Sequence, residues 1–111
     1  MKFINLTPHE LNVQREDGTI LSIPASGQIA RVGQKEKVVD TLEGISISQQ
    51  FFDGDVTGVP EPKGPFTYYI VSRIVASALA EADRTNDILI PGPAVRDDSG
   101  KIIGCRGFSQ L

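Results

Sequence analysis

The chain has 111 residues, of which 40% are hydrophobic and 23% charged, and its formal net charge is −3. These values are typical of a globular domain and argue against an intrinsically disordered chain. The mild negative charge offers no basic surface for nucleic acid or for an anionic membrane, and no stretch approaches the roughly 18 apolar residues of a membrane-spanning helix. We therefore expect a single domain over residues 1–111 that binds neither nucleic acid nor membrane.

Cysteine content bears on the cellular compartment. Cys105 is the only cysteine, so neither an intrachain disulfide nor a cysteine-only metal cage can form. Small secreted domains often depend on disulfides, and the first residues lack the apolar run of a signal peptide. The sequence thus favours a cytoplasmic protein.

The first half of the chain predicts short strands. Residues 2–6 form an apolar run that stops before Pro8, and residues 11–13 alternate apolar and polar side chains. A turn at residues 16–19 and a return strand at residues 20–23 complete a β-hairpin. A further strand is expected at residues 29–32, a loop at 34–36, a weak strand at 38–42, and a strand at 44–48 with Ile45 and Ile47 on one face.

The second half contains the longest irregular stretch and the only predicted helix. Residues 53–65 hold three prolines and three glycines and are predicted to be a functional or mobile loop, such as a lid. Residues 67–71 form the strongest strand, Ser72 is a good N-cap, and apolar side chains at helical spacing continue to about Asp83. A short strand at 88–90 and a second hairpin over 94–108 follow. We predict an α+β fold, mainly antiparallel β-sheet with one helix packed on a face.

No complete catalytic or metal-binding signature is present. His9 is the single histidine and no nucleophile-elbow motif occurs. His9 and Cys105 could pair, but a cysteine in an apolar strand is typical of a buried structural thiol. No zinc spacing, calcium loop or phosphate-binding glycine loop is found, so the sequence predicts no metal site, no cofactor and no catalytic residue.

Basic side chains supply the best candidates for a ligand site. Arginine offers a planar fork of donors that suits phosphate or carboxylate. Arg96 and the segment from Lys101 to Arg106 lie on opposite strands of the second predicted hairpin, so these cations could converge, and Arg31 lies between apolar neighbours in its strand. Surface salt bridges are the alternative for each arginine.

Other candidates surround these cations. The helix N-terminus at Ser72 could hold an anion or could simply be capped. Tyr69 or Phe108 could stack a base or could lie in the core. Asn86 or Thr7 could read the polar edges of a ligand, and His9 could contact it, although a loop histidine bonded to backbone or water is the alternative.

Several segments together resemble small phage- and prophage-encoded proteins of unassigned activity, and the resemblance spans nearly the whole chain. The segments are Asn5-Leu6-Thr7-Pro8-His9, residues 23–27, Ala30-Arg31-Val32, residues 69–72, residues 84–87, Val95-Arg96-Asp97 and Gly104-Cys105-Arg106-Gly107-Phe108. The resemblance implies a phage-type protein working in the host-cell cytoplasm and names no chemistry.

A looser analogy suggests a function. Phage proteins of about this size include anti-defence sponges (anti-Thoeris and anti-CBASS proteins), which hold cyclic ADP-ribose isomers or cyclic dinucleotides without reaction and usually act as oligomers. The sequence-based hypothesis is therefore a homo-oligomeric, non-catalytic protein that sequesters a nucleotide immune signal. The alternatives are a small cyclic-nucleotide hydrolase using His9 as acid or base, and a protein-interaction inhibitor of a host enzyme.

Overall fold

A computed structural model describes residues 1–111 and contains ten strands and one helix. In chain order the elements are β1 (Lys2–Asn5), β2 (Leu11–Gln14), β3 (Ile20–Ile23), β4 (Arg31–Leu42), β5 (Ile45–Thr57), β6 (Thr67–Ile70), α1 (Arg73–Glu81), β7 (Ile88–Pro91), β8 (Ala94–Arg96), β9 (Ile102–Arg106) and β10 (Phe108–Ser109). The structure contains no helix long and apolar enough to cross a membrane.

The strands form three sheets with mixed pairing. The first has the order β1-β6-β7-β10, the second β3-β2-β9-β8, and β4 pairs only with β5. The expected hairpins are antiparallel, but β1 with β6, β6 with β7, and β2 with β9 are parallel. The fold is therefore α+β as predicted, while the mainly antiparallel sheet is only partly right. Hairpin pairing is set by nearby turn residues, whereas these parallel pairs join distant segments.

The first sheet is covered on both faces. Side chains alternate along its central strands, so one face packs on α1 and the other on the second sheet. The helix side contains Tyr69, Val71, Val75, Ala76, Leu79, Ile88 and Ile90. The other side contains Val13, Ile23, Ile70 and Cys105, with Phe3, Leu21 and Phe108 partly buried against them. The core thus lies in two apolar clusters separated by the first sheet.

The helix begins where the sequence predicts. Ser72 is extended and its Oγ accepts a hydrogen bond from the Val75 N–H at 3.4 Å, which satisfies a backbone donor that the first turn leaves free. Apolar residues on one side of α1 meet the first sheet, and the last helical residue is Glu81, two positions before the predicted end.

The longest strands build a feature that the sequence did not indicate. Strands β4 and β5 form a two-stranded ribbon, residues 31–57, which we call the arm. The predicted loop at 34–36 and the first part of the predicted loop at 53–65 both lie in it, because Gln34 pairs with Phe52, Gly33 with Asp53 and Arg31 with Thr57. Ladder hydrogen bonding here outweighs the weak strand propensity of polar residues.

A tight turn and a long projection characterise the arm. Glu43 and Gly44 both have positive φ, as the two-residue type I′ hairpin turn requires. The Cα radius of gyration is 16.7 Å, against about 13 Å for a compact domain of about 100 residues. The molecule measures 52 × 40 × 22 Å, and a ribbon of two mostly exposed strands of 12 and 13 residues accounts for this elongated shape.

Candidate functional site

The largest cavity is a cleft of about 920 Å³ between the two four-stranded sheets. It is lined by Phe3, Val13, Gln14, Arg15, Glu16, Asp17, Gly18, Leu21, Arg106, Gly107 and Phe108. The cleft opens where the parallel neighbours β2 and β9 both end, since Gln14 and Arg106 are the last residues of these strands and pair with each other. Two segments that are distant in sequence therefore deliver polar side chains to one place.

The interior of the cleft is apolar. The ring centroids of Phe3 and Phe108 lie 5.2 Å apart with an interplanar angle of 43°, and Leu21 pairs across the ladder with buried Val13. These side chains belong to the second apolar cluster, so the floor of the cleft is continuous with the core. Two aromatic rings and two aliphatic side chains suit the flat or apolar part of a ligand.

The rim of the cleft carries charges of both signs. Arg15 and Arg106 contribute guanidinium groups, and Glu16 and Asp17 contribute carboxylates. The side-chain Nη1 of Arg15 donates to Thr19 Oγ1 at 3.3 Å, which holds that arginine on the hairpin turn. The pKa of Asp17 is lowered, chiefly because the Thr19 hydroxyl donates to its carboxylate at 2.6 Å. Asp17 is therefore ionised at neutral pH.

Gly92 supports the strand that delivers Arg106. Its N–H donates to the Gly107 carbonyl at 2.9 Å. A Cβ at position 92 would collide with the backbone carbonyl of Arg106 and lie 2.7 Å from that of Gly107. Only glycine allows this close approach, so a side chain at position 92 would displace the residues that form one wall of the cleft.

Of the sequence-predicted ligand residues, Arg106 and Phe108 lie in the cleft. The hairpin cations do not all converge, because Arg96 and Lys101 lie at the turn end of the hairpin and Arg106 lies at its other end. Arg96 pairs with Ile102, about 13 Å along β9 from Arg106, and its Nη1 donates to the Gly100 carbonyl at 2.8 Å. Arg31 is exposed at the base of the arm and also lies outside the cleft lining.

Tyr69 and Ser72 have structural roles. Tyr69 is completely buried, its hydroxyl donates to the Glu61 carbonyl at 3.3 Å, and the Arg84 guanidinium lies 5.7 Å from the ring centroid. Tyr69 therefore presents no face on which a base could stack, which corrects that prediction. The Ser72 hydroxyl caps α1 and does not line the cleft.

The opening segment, residues 5–9, forms a hydrogen-bonded turn. Asn5 is buried, and its Oδ1 accepts from the Thr7 N–H at 2.9 Å and from the Thr7 hydroxyl at 2.6 Å. Its Nδ2 donates to the carbonyls of His9 at 2.7 Å and Ile23 at 3.2 Å. The Thr7 hydroxyl proton is thus used inside the turn and is not free to read a ligand.

Cys105 pairs with Val13 in the β2–β9 ladder, whereas His9 lies two residues before β2, at the other end of that strand from the cleft. Both line a small depression of about 380 Å³ that shares no residue with the cleft. Burial raises the pKa of the Cys105 thiol, and the Gly92 N–H offsets this only in part. The thiol is therefore protonated at neutral pH, as expected for a structural cysteine rather than a nucleophile.

Asn86 lies in a second cleft of about 560 Å³ that also contains Arg84, Asp87 and residues of the proline-rich loop. Here Arg84 donates to both carboxylate oxygens of Asp87, at 3.1 and 2.8 Å, and to the Pro60 carbonyl at 2.8 Å. The hydrogen bonds to Asp87 raise the pKa of Arg84 above its ordinary value. The loop is tied to the body and contributes no residue to the cleft between the sheets, so a lid over that cleft is not observed.

Sequence reasoning missed Phe3, Gln14 and Arg15 as cleft residues. Phe3 reads as an ordinary core residue and Arg15 as part of a hairpin turn. Only the parallel pairing of β2 with β9 places Gln14 and Arg15 beside Arg106. The structure brings together no group of three or more His, Cys, Asp or Glu side chains able to hold a metal ion.

Comparisons with protein-family models, with curated proteins and with solved structures found no match to this chain.

Proposed function

We propose that the protein binds and sequesters a phosphate-containing nucleotide in the cleft between its two four-stranded sheets, without converting it. The observation that carries the proposal is the juxtaposition, in the largest cavity, of an aromatic pair with two arginines from the ends of neighbouring strands. A nucleotide has the same two parts, a flat base and an anionic phosphate.

Each part of the cleft has a role in the proposal. The rings of Phe108 and Phe3 receive the base, and Val13 and Leu21 line the apolar surface beneath it. Arg106 and Arg15 donate to phosphate oxygens, which their forked guanidinium groups match. The carboxylates of Glu16 and Asp17 disfavour a bare polyanion, because like charges repel, and favour a ligand that also offers ribose hydroxyl or base amino donors.

The composition of the cleft supports binding of the nucleotide without a chemical reaction. Its lining contains no histidine, cysteine, serine or lysine, and Asp17 is ionised at neutral pH, so it is unsuited to act as a general acid. The hydrolase alternative depends on His9, which lies at the other end of β2 and β9.

The proposed biological setting is a phage-encoded anti-defence protein in the host cytoplasm, in which cyclic ADP-ribose isomers or cyclic dinucleotides are the ligands. This setting follows from the sequence resemblance and the sponge analogy. The chemistry of the cleft supports the ligand class alone, an aromatic base joined to phosphate.

Depletion with recovery tests the proposal. Purified protein is mixed with a panel of cyclic dinucleotides, ADP-ribose and cyclic ADP-ribose isomers, filtered, and the free nucleotides are quantified by chromatography before and after heat denaturation. A nucleotide that disappears and returns intact supports sequestration. Return as a product contradicts it and supports an enzyme, and no depletion of any nucleotide refutes nucleotide binding.

A matched pair of arginine variants tests the site. Arg106→Gln removes a cleft cation, and Arg96→Gln removes an exposed cation from the other end of the same hairpin. We expect Arg106→Gln to weaken nucleotide binding at least tenfold, since a charged hydrogen bond contributes about 1.5–3 kcal/mol, and Arg96→Gln to change it less than about twofold. Equal effects of the two variants would contradict the site assignment.

A further inference from the structure

The two largest cavities meet at one ladder pair of the first sheet. Phe3 lines the cleft between the sheets, and Tyr68 lines the second cleft, which we call the Asn86 cleft. Phe3 and Tyr68 are partners in the parallel ladder of β1 with β6, and their ring centroids lie 6.1 Å apart. On its other side, the Phe3 ring lies 5.2 Å from that of Phe108. A continuous run of three aromatic rings therefore connects the two clefts.

The charges of the Asn86 cleft disfavour a second phosphate. Its charged side chains are Asp83, Arg84 and Asp87, which sum to one negative charge. The only cation among them is already engaged, because Arg84 donates to both carboxylate oxygens of Asp87, and the two side chains are only 20% and 13% exposed. A phosphate in this cleft would meet a net negative charge and no free cation. The cleft therefore suits a neutral part of a ligand.

Uncommitted hydrogen-bonding groups line this neutral space. The Asn86 amide, the Tyr68 hydroxyl and the hydroxyls of Thr67 and Thr85 make no hydrogen bond within the chain. An amide places a donor beside an acceptor, which matches the paired donor and acceptor on the edge of a nucleobase. The partly exposed Tyr68 ring offers a surface on which a base stacks. A flat, neutral group with polar edges fits this combination.

We propose that the Asn86 cleft is a second nucleoside subsite, so that the ligand of this protein carries two nucleosides joined through phosphate. The inference rests on the proposed function, in which the first base and the phosphates occupy the cleft between the sheets. The second base lies on Tyr68, one ring beyond Phe3, and Asn86 reads its edge. Within the proposed ligand class, this arrangement selects dinucleotides over ligands with a single base, such as ADP-ribose.

Nuclear magnetic resonance titration with matched one-base and two-base probes tests the second subsite, because it measures affinities into the millimolar range. The pairs are AMP with cyclic di-AMP and GMP with cyclic di-GMP, and ADP-ribose is a further one-base probe. We expect a cyclic dinucleotide to bind at least tenfold more tightly than its mononucleotide and than ADP-ribose. The reason is that its second nucleoside adds stacking and hydrogen bonds once the first is bound.

Two variants locate this added affinity in the Asn86 cleft. Asn86→Ala removes the amide, and we expect it to weaken cyclic dinucleotide binding about threefold to tenfold and to change mononucleotide binding less than about twofold. Tyr68→Leu keeps an apolar contact with Phe3 but removes the stacking surface, so we expect at least a fivefold loss for the cyclic dinucleotide. Gln49→Ala, at an exposed amide of the arm outside both clefts, is the matched control and should change neither affinity.

The results that overturn the inference differ from those that overturn the proposed function. Equal affinity for one-base and two-base probes, tighter binding of ADP-ribose, or an equal loss of both kinds of probe in Asn86→Ala would refute the second subsite and leave nucleotide binding in place. Failure of every probe to bind would refute nucleotide binding itself, and the inference with it. Asn86→Ala alters an exposed side chain, so it decides the question even where Tyr68→Leu lowers the melting temperature.

Discussion

Removal of the Asn5 side chain should be the most destabilising polar substitution in the chain. Asn5 is 1% exposed and makes four hydrogen bonds, to the Thr7 N–H and hydroxyl and to the carbonyls of His9 and Ile23. The bonds tie the end of β1 to the start of β2 and to the end of β3. Alanine at this position loses all of them and leaves the Ile23 carbonyl without the amide donor.

The size of the effect follows from these bonds. Each contributes about 1 kcal/mol net, and Thr7 can recover some hydrogen bonding to water because it is only partly buried, so we expect Asn5→Ala to cost about 2–4 kcal/mol. A domain of this size has a total stability of about 5–15 kcal/mol. In urea, where the slope is about 1–3 kcal/mol per molar, the unfolding midpoint should fall by about 1–2 M.

Two further variants sharpen the measurement. Asn5→Asp keeps the acceptor for Thr7 but sets a carboxylate against two carbonyl oxygens, so we expect a loss at least as large at neutral pH that shrinks as acid protonates the carboxyl group. Asn86→Ala removes an exposed asparagine whose side chain makes no hydrogen bond and should leave the midpoint unchanged. If Asn5→Ala matched Asn86→Ala, the structural role given to the opening segment would be wrong.

Three other predictions test local features. Arg84→Ala should cost about 1–3 kcal/mol and speed tryptic cleavage after exposed Lys63, because it removes the hydrogen bond to the Pro60 carbonyl that ties down the proline-rich loop, together with the Asp87 ion pair. Arg73→Ala, at an exposed arginine, should do neither. Ser72→Ala should cost about 0.5–1 kcal/mol in urea unfolding, and Ser72→Asp should preserve stability because it retains a cap acceptor. Cys105 should react with Ellman's reagent at about pH 8 at least tenfold more slowly in the native protein than in urea, and equal rates would contradict its burial. Because burial raises the pKa of this thiol, the stability linked to its protonation is present below the pKa of the unfolded thiol and is lost as pH rises through the folded pKa.

Local sequence signals predicted the hairpins and the helix well. The turn at residues 16–19, the Ser72 cap and the second hairpin at 94–108 depend on interactions between residues close in sequence, so composition and spacing predict them. The sequence predicts separate strands and loops in place of the arm, because Gln34, Lys35 and Glu36 have no strand preference of their own. Their extended conformation depends on the partner strand, which no local pattern reveals.

The candidate site could be predicted only in part for the same reason, since it depends on pairing between distant segments. Arg106 and Phe108 were predicted because arginine and aromatic side chains suit a nucleotide, but their companions came from β1 and β2, on distant parts of the chain. Tyr69 was misplaced for a related reason. A strand that is buried on both faces shows no alternation of apolar and polar residues, so the sequence does not indicate which side chains are exposed. Tyr69 lies in such a strand, because α1 covers one face of the first sheet and the second sheet covers the other.

A nuclear magnetic resonance titration of the ¹⁵N-labelled protein with ADP-ribose and with cyclic di-AMP tests the central claim most directly, since it reports both binding and location. The account predicts that at least one of these nucleotides shifts the amide signals of Gln14, Arg15, Arg106 and Gly107, at the end of β2 and β9 that carries the cleft. Shifts confined to the His9 depression or to the Asn86 cleft, or no shift with either nucleotide at millimolar concentration, would contradict it.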